Sequence, residues 1–298
     1  KKVLVLGSGG ASNTAVEVLK ELGASVFVIS RSGEHNYGNL HIHSDAAVIV
    51  NATPVGMYPN TGIRPIDLNI FPKLEGVLDL IYNPARTQLL LDAENRGIVA
   101  ENGLWMLVAQ AKEASEYFSG IQLDDHCIAD IHRHLKYQME NIILVGMPGC
   151  GKSTIGQLLA ERCEKKFVDA DVEIVRLAGK SIPEIFAQDG EEVFRQWETK
   201  ALAHLGKQSG LVIATGGGCV TKRRNDPLLH QNGTVVWLKR DLDLLPTEGR
   251  PLSQSSRLQE MYAVRKPMYE AFSDFSVENS AEPEKTVSAI LARLEETL

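Results

Sequence analysis

In Gly146-Met147-Pro148-Gly149-Cys150-Gly151-Lys152-Ser153-Thr154 the first eight residues fit the pattern G-x-x-x-x-G-K-[ST]. In such a turn the glycines let backbone N–H groups close around phosphate oxygens, and a helix beginning at Lys152 adds the positive end of its dipole. The Lys152 ammonium has the reach to meet β- and γ-phosphates, and the Ser153 hydroxyl can enter a Mg²⁺ shell. Gly146, Gly149, Cys150, Gly151, Lys152, Ser153 and Thr154 are therefore the expected ATP contacts. The pattern points to a nucleotide and leaves the phosphoryl acceptor open.

Later residues narrow that acceptor. Phe167-Val168-Asp169-Ala170-Asp171 closes an apolar run with carboxylates at i and i+2, which share a face if the run is strand throughout. An acceptor hydroxyl needs a carboxylate to orient it and take its proton, and a metal needs an acidic partner; a solvated acidic turn is the plainer alternative. In Gly190-Glu191-Glu192-Val193-Phe194-Arg195-Gln196-Trp197-Glu198 a helix would place Glu191 and Glu198 on either side of Arg195. They could hold the guanidinium for bidentate capture of a carboxylate ligand, or be an ordinary surface ion pair. Thr215-Gly216-Gly217-Gly218 follows the apolar run 211–214 and allows backbone to approach a ligand closely, unless it is merely a flexible loop. Arg250-Pro251-Leu252 lies in a polar stretch, and Arg265 precedes Pro267 and Tyr269. A mobile arginine at 250 closing over ATP would neutralise phosphoryl charge and exclude water.

The chain opens with a second loop of this kind. Gly7-Ser8-Gly9-Gly10-Ala11-Ser12 follows the strand-like run 3–6 and leads into a helix reaching about Glu21, as a dinucleotide pyrophosphate loop does, with Ser12 in the place of the last glycine. About twenty residues on, the second strand ends in Ser30-Arg31-Ser32 instead of an acidic residue. Arg31 with flanking hydroxyls favours the 2′-phosphate of NADP.

Both loops need parallel strands behind them, and the sequence supplies short β-branched runs. In the first half these are 25–29, 47–50 and 76–80; in the second, 142–145, 168, 211–214 and 234–238. The fold class expected is α/β, two doubly wound parallel-sheet domains. Between them, residues 122–139 carry apolar positions at Ile128, Ile131, Leu135 and Met139, the spacing of an amphipathic linker helix. His126, His132 and His134 lie in it and read as polar surface, as do His41 and His43 upstream. A length of 298 residues, 44% hydrophobic and 23% charged, suits two globular domains. The net charge of −7 argues against nucleic-acid binding, and no apolar run is long enough to span a bilayer. Cys127, Cys150, Cys163 and Cys219 form no C-x-x-C pair, so a reducing, cytoplasmic setting is expected. The chain begins at Lys1 and enters a strand by Val3, from which residues upstream of Lys1 are expected.

Residues 141–298 resemble shikimate kinase through the phosphate loop, D-x-D, F-R-x-x-E, G-G-G, R-P-L and R-x-P-x-Y elements in that order. The resemblance implies ATP-dependent phosphorylation of shikimate on a five-stranded parallel sheet, with Lys152, Asp171 and Arg250 as the catalytic set. By it, Asp171 binds substrate hydroxyls and acts as base, while Asp169 holds Mg²⁺ through water. Arg195, Gly217 and Arg265 grip shikimate, Glu198 orients Arg195, and Arg250 belongs to the lid. The family's adenine-packing arginines have no match in residues 243–249 or 280–283, so adenine is expected to pack differently. Residues 1–120 resemble the cofactor domain of shikimate dehydrogenase through Asn51-Ala52-Thr53-Pro54-Val55-Gly56-Met57, Asp79-Leu80-Ile81-Tyr82-Asn83-Pro84 and Gly103-Leu104-Trp105 to Gln110. This implies NADP(H) contacts at Gly7, Gly9, Gly10, Ala11, Ser30, Arg31, Ser32 and Met106, with Gln110 facing substrate. The segment 33–44 is shorter than the family's, and its N-terminal substrate domain is absent. The expectation is therefore an inactive dehydrogenase half at 1–121, a helical linker at 122–140 and the kinase at 141–298. A kinase for another polyol acid such as gluconate, beside a regulatory dinucleotide-binding module, is the alternative.

Overall fold

The computed structural model describes residues 1–245, 255–280 and 282–296. The chain forms two compact units, Lys1–His134 and Leu135–Leu298.

In the first unit the strands are β1 (Lys2–Leu6), β2 (Ser25–Ile29), β3 (Val48–Asn51), β4 (Gly76–Asp79) and β5 (Val99–Glu101), in parallel order β2-β1-β3-β4-β5. Helices α1 (Gly10–Glu21), α2 (Gln88–Glu94) and α3 (Leu104–Ser119) connect and flank them; α4 (His126–Met139) carries the chain into the second unit. Leu4, Leu6, Ile29 and Ile49 are wholly buried, each contributing about 2 kcal/mol by leaving water. Register pairs Leu6 with Asn51 and Asn51 with Asp79, so the carboxyl ends of β1, β3 and β4 stand level. β5, with only Val-Ala-Glu, lacks an apolar run and had no sequence signature.

The second unit contains β6 (Asn141–Val145), β7 (Lys166–Asp169), β8 (Leu211–Ala214), β9 (Gly233–Lys239) and β10 (Phe275–Glu278), in parallel order β10-β9-β6-β8-β7. Its helices are α5 (Lys152–Arg162), α6 (Ala170–Ala178), α7 (Ile182–Gln188), α8 (Gly190–Gly206), α9 (Asp226–His230), α10 (Ser255–Phe272) and α11 (Pro283–Glu295). β6, every residue of it buried, is flanked by β8 and β9, which makes its carboxyl end the point where strand order reverses and ligands bind in such sheets. The expected fold class is the one found: two parallel five-stranded sheets flanked by helices. β10 alternates buried and exposed residues at the sheet edge, which is why no continuous apolar run announced it. Among the described residues, no helix is long and apolar enough to cross a membrane.

Candidate active site

The phosphate loop leaves β6 at Gly146 and enters α5 at Lys152. Gly146, Gly149 and Gly151 all have positive φ, at 147°, 82° and 97°, conformations that side chains disfavour. A Cβ at Gly146 would lie 2.5 Å from the Leu238 carbonyl oxygen, so both space and dihedral require glycine there. Lys152 is buried and donates to the Gly146 and Met147 carbonyls, each at 2.9 Å, which holds its ammonium within the turn. Ser153 Oγ donates to Asp169 Oδ2 at 2.8 Å. A hydroxyl and a carboxylate thus stand side by side at the start of α5, hard oxygen donors of the kind Mg²⁺ takes.

The D-x-D element differs from the sequence expectation. β7 ends at Asp169, and Asp171 is in the first turn of α6, so the two carboxylates do not share a strand face. Asp169 caps that helix, its Oδ1 accepting from the Asp171 N–H at 3.0 Å. The strong capping preference of aspartate competes with strand continuation at this position, and the cap prevails.

Opposite stands an ion-pair cluster on α8. Arg195 donates to Glu198 Oε2 at 2.8 Å and to Glu191 Oε1 at 3.1 Å. Arg195 is 7% exposed and Glu198 not at all, so this is no surface pair. Burial pushes the Glu198 carboxyl up; the Arg195 guanidinium pulls it back and Asp171 adds repulsion, leaving it above the usual range. For Arg195 burial opposes the charge, but Glu198 and Glu191 outweigh it and hold the guanidinium protonated.

The loop 215–218 joins these groups. Thr215 anchors it, its N–H and its hydroxyl both donating to the Leu144 carbonyl at 3.1 and 2.9 Å. A Cβ at Gly216 would lie 2.8 Å from Glu198 Oε1 and 3.3 Å from Asp171 Oδ1; one at Gly218 would lie 2.3 Å from Arg195 Nη1. At Gly217 it would lie 2.6 Å from Pro148 of the phosphate loop. The Gly217 carbonyl accepts from Arg265 Nη1 at 2.9 Å and from the Tyr269 hydroxyl at 2.5 Å. Asp171, Arg195, Glu198 and Arg265 therefore converge on one glycine turn that also touches the phosphate loop. Arg250 and its R-P-L element lie outside the described residues, as does Ala281 of the segment 280–283.

Four residues of this site gave no sequence signal of their role. Thr215 and Tyr269 were visible only as neighbours of G-G-G and of Arg265. Asn225 donates to the Cys219 carbonyl at 2.7 Å and braces the end of the glycine turn. Arg240, at the end of β9, has Nη1 3.8 Å from the Cβ position of Gly151.

In the first unit Gly7, with φ of 105°, packs against Ala52 and Thr53. Ser12, wholly buried, donates to the Gly7 carbonyl at 2.7 Å and so ties the helix to the loop where a third glycine was expected. Gly7, Gly9, Ser30, Arg31, Tyr37 and Thr53 line a cavity of about 580 Å³. Burial raises the Tyr37 hydroxyl pKa and Arg31 offsets part of that. Gly10 and Ala11 are the exposed first residues of α1, and Ser32 is an exposed neighbour of Arg31. Met106 and Gln110 are exposed on α3 and do not line the cavity. The expectation that His43 is polar surface is corrected: it is 2% exposed, with Nε2 3.1 Å from His35 Nδ1.

Residues 148–295 match the family model for shikimate kinase. A shikimate kinase of Neisseria meningitidis serogroup C is 41% identical over 162 residues, 51% of this chain and 95% of that protein. The structure of shikimate kinase from Acinetobacter baumannii in complex with shikimate is similar at 34% identity and a TM-score of 0.52, covering 55% of this chain and 97% of the other. The N-terminal region matches shikimate dehydrogenase structures; one, a chorismate mutase/shikimate 5-dehydrogenase fusion protein from Clostridium acetobutylicum, is 35% identical with a TM-score of 0.43. It is matched over 45% of this chain and 54% of its own, so the chain spans about half its length. The phosphate loop, the acidic pair and the paired arginines thus stand on a chain that belongs to the shikimate kinase family.

Proposed function

We propose that the second unit transfers the γ-phosphate of ATP to a ring hydroxyl of shikimate, giving shikimate 3-phosphate for chorismate and aromatic amino acid synthesis. The observation that carries this is the convergence of Asp171, Arg195 and Arg265 on the glycine turn beside the phosphate loop. A hydroxylated acid needs one group for its hydroxyl and a cationic fork for its carboxylate, and few other acceptors need both.

In this reading the backbone of 146–151 and Lys152 hold the nucleotide phosphates, and Thr154 extends that cradle along α5. Arg195, kept rigid by Glu198 and Glu191, and Arg265, fixed on the Gly217 carbonyl, bind the shikimate carboxylate. Asp171 orients the acceptor hydroxyl and takes its proton as the oxygen attacks the γ-phosphorus; the bond from that phosphorus to the β–γ bridging oxygen breaks and ADP leaves. Ser153 and Asp169 are the residues that hold Mg²⁺, which neutralises phosphate charge when bound. Arg250 closes over the phosphates as the lid arginine. The four cysteines, all free thiols, suit the reducing cytoplasm.

For the first unit the cavity between Gly7, Arg31 and Thr53 supports NADP(H) binding, with Gly9, Gly10 and Ala11 at the pyrophosphate and Ser30, Arg31 and Ser32 at the 2′-phosphate. Half of a dehydrogenase is represented, and dehydroshikimate reduction is not expected from these residues alone. ADP release measured with a panel of acids tests the kinase reading: release with shikimate is expected, and release with gluconate but none with shikimate overturns it. NADPH titration against NADH tests the first unit, where a preference for NADPH is expected and lost in Arg31→Ala.

A further inference from the structure

Asn279 stands one residue beyond β10 and makes three separate connections. Its N–H donates to the Lys239 carbonyl at 2.7 Å, continuing the pairing with β9. Its Oδ1 accepts from Thr286 Oγ1 of α11 at 3.2 Å, and its Nδ2 donates to the Cys150 carbonyl in the phosphate loop at 2.6 Å. The amide orientation follows from its neighbours. A carbonyl can only accept, and the Thr286 hydroxyl, already accepting from Ser280 N–H at 3.2 Å, has its proton left to give.

Gly151 is what lets this side chain reach the loop. A Cβ there would lie 2.5 Å from Asn279 Nδ2, so any side chain would displace the amide from Cys150. A trans peptide unit is planar, and its C=O and N–H point in opposite directions. Holding the Cys150 oxygen therefore aims the Gly151 N–H away from Asn279. Phosphate loops bind their ligand through N–H groups aimed inward together, so the direction of each peptide matters.

We infer that Asn279 is a positioning residue for the phosphate loop, setting the Cys150–Gly151 peptide for the nucleotide phosphates through the Cys150 carbonyl, with Thr286 holding its amide in place. The inference rests on the proposed binding of ATP at this loop and is independent of the acceptor. Asn279→Ala and Thr286→Val in the full chain test it, with fold checked by circular dichroism and ATP affinity measured by calorimetry with no acid present. Asn279→Ala is expected to weaken ATP about tenfold and to raise KM for ATP in parallel, with KM for shikimate within twofold of the parent. Thr286→Val, which keeps Asn279, is expected to weaken ATP about threefold. A brace for α11 alone would lower Tm and leave nucleotide affinity untouched. ATP affinity within twofold of the parent in folded Asn279→Ala overturns the inference; if that variant does not fold, the same result in Thr286→Val does so. Failure of the parent to phosphorylate shikimate would sink the substrate assignment and leave this ATP-only measurement standing.

Discussion

Arg195 and Glu198 show how a charge can be placed inside a protein for use. Neither would be stable in a buried position alone, since an isolated buried ion costs several kcal/mol. Glu198 and Glu191 hold the planar guanidinium in one orientation before any acid arrives. Arg195→Lys keeps the charge but loses the fork, and is expected to raise KM for shikimate at least tenfold with a smaller change in kcat. Asp171→Asn removes a proton acceptor and no phosphate contact; kcat is expected to fall by about 10³ while calorimetric ATP affinity stays within twofold. At this scale the sequence was most legible. The i−4 and i+3 spacing around Arg195 announced the ion pairs, and only their burial needed coordinates. What could not be read was Asn225 or Asn279, whose partners lie on other elements and obey no local spacing.

At the scale of elements, the glycine turn after β8 packs so closely that its residues are chosen by exclusion. Gly218→Ala would set a methyl group about 2.3–2.5 Å from three guanidinium atoms. The arginine must then leave its place, and shikimate affinity is expected to fall about tenfold with ATP affinity unchanged, as measured by calorimetry for each ligand alone. The long apolar strands were recognisable because parallel strands covered on both sides need continuous β-branched runs. β5 and β10 were missed because edge strands do not. The D-x-D pair was misread for a different reason: strand periodicity was carried past Asp169, where its capping of α6 ends the strand.

At the scale of the molecule, each unit contains a buried group raised well above its usual pKa, so each contributes stability that is lost as pH rises. In the first unit burial raises Asp79 from 3.8 to about 6, against hydrogen bonds from Thr87, the Ile81 N–H and Asn51. The folded state then binds more protons than the unfolded between these values. That unit should lose about 3 kcal/mol of stability in all as pH rises from below 4 to well above 6, roughly two thirds of it between pH 4 and 6. Asp79→Asn should flatten the slope in denaturant titrations. In the second unit burial opposes the charge on His230, but Asp226 and Asp274 prevail and raise it from 6.5 to about 9. Its stabilisation is full below pH 6.5 and lost as pH rises through 9, and His230→Gln should remove that loss.

The Gly217 peptide has Pro148 on one side, while Arg265 and Tyr269 share its oxygen on the other. An acid bound by Arg265 shares that guanidinium with the Gly217 oxygen, which links the acid pocket to the wall of the nucleotide cradle. Occupancy of either pocket is therefore expected to alter affinity at its neighbour, and reciprocity would require the same factor in both directions. The two substrates should bind to this enzyme as a coupled pair, with neither dissociation constant independent of the other ligand.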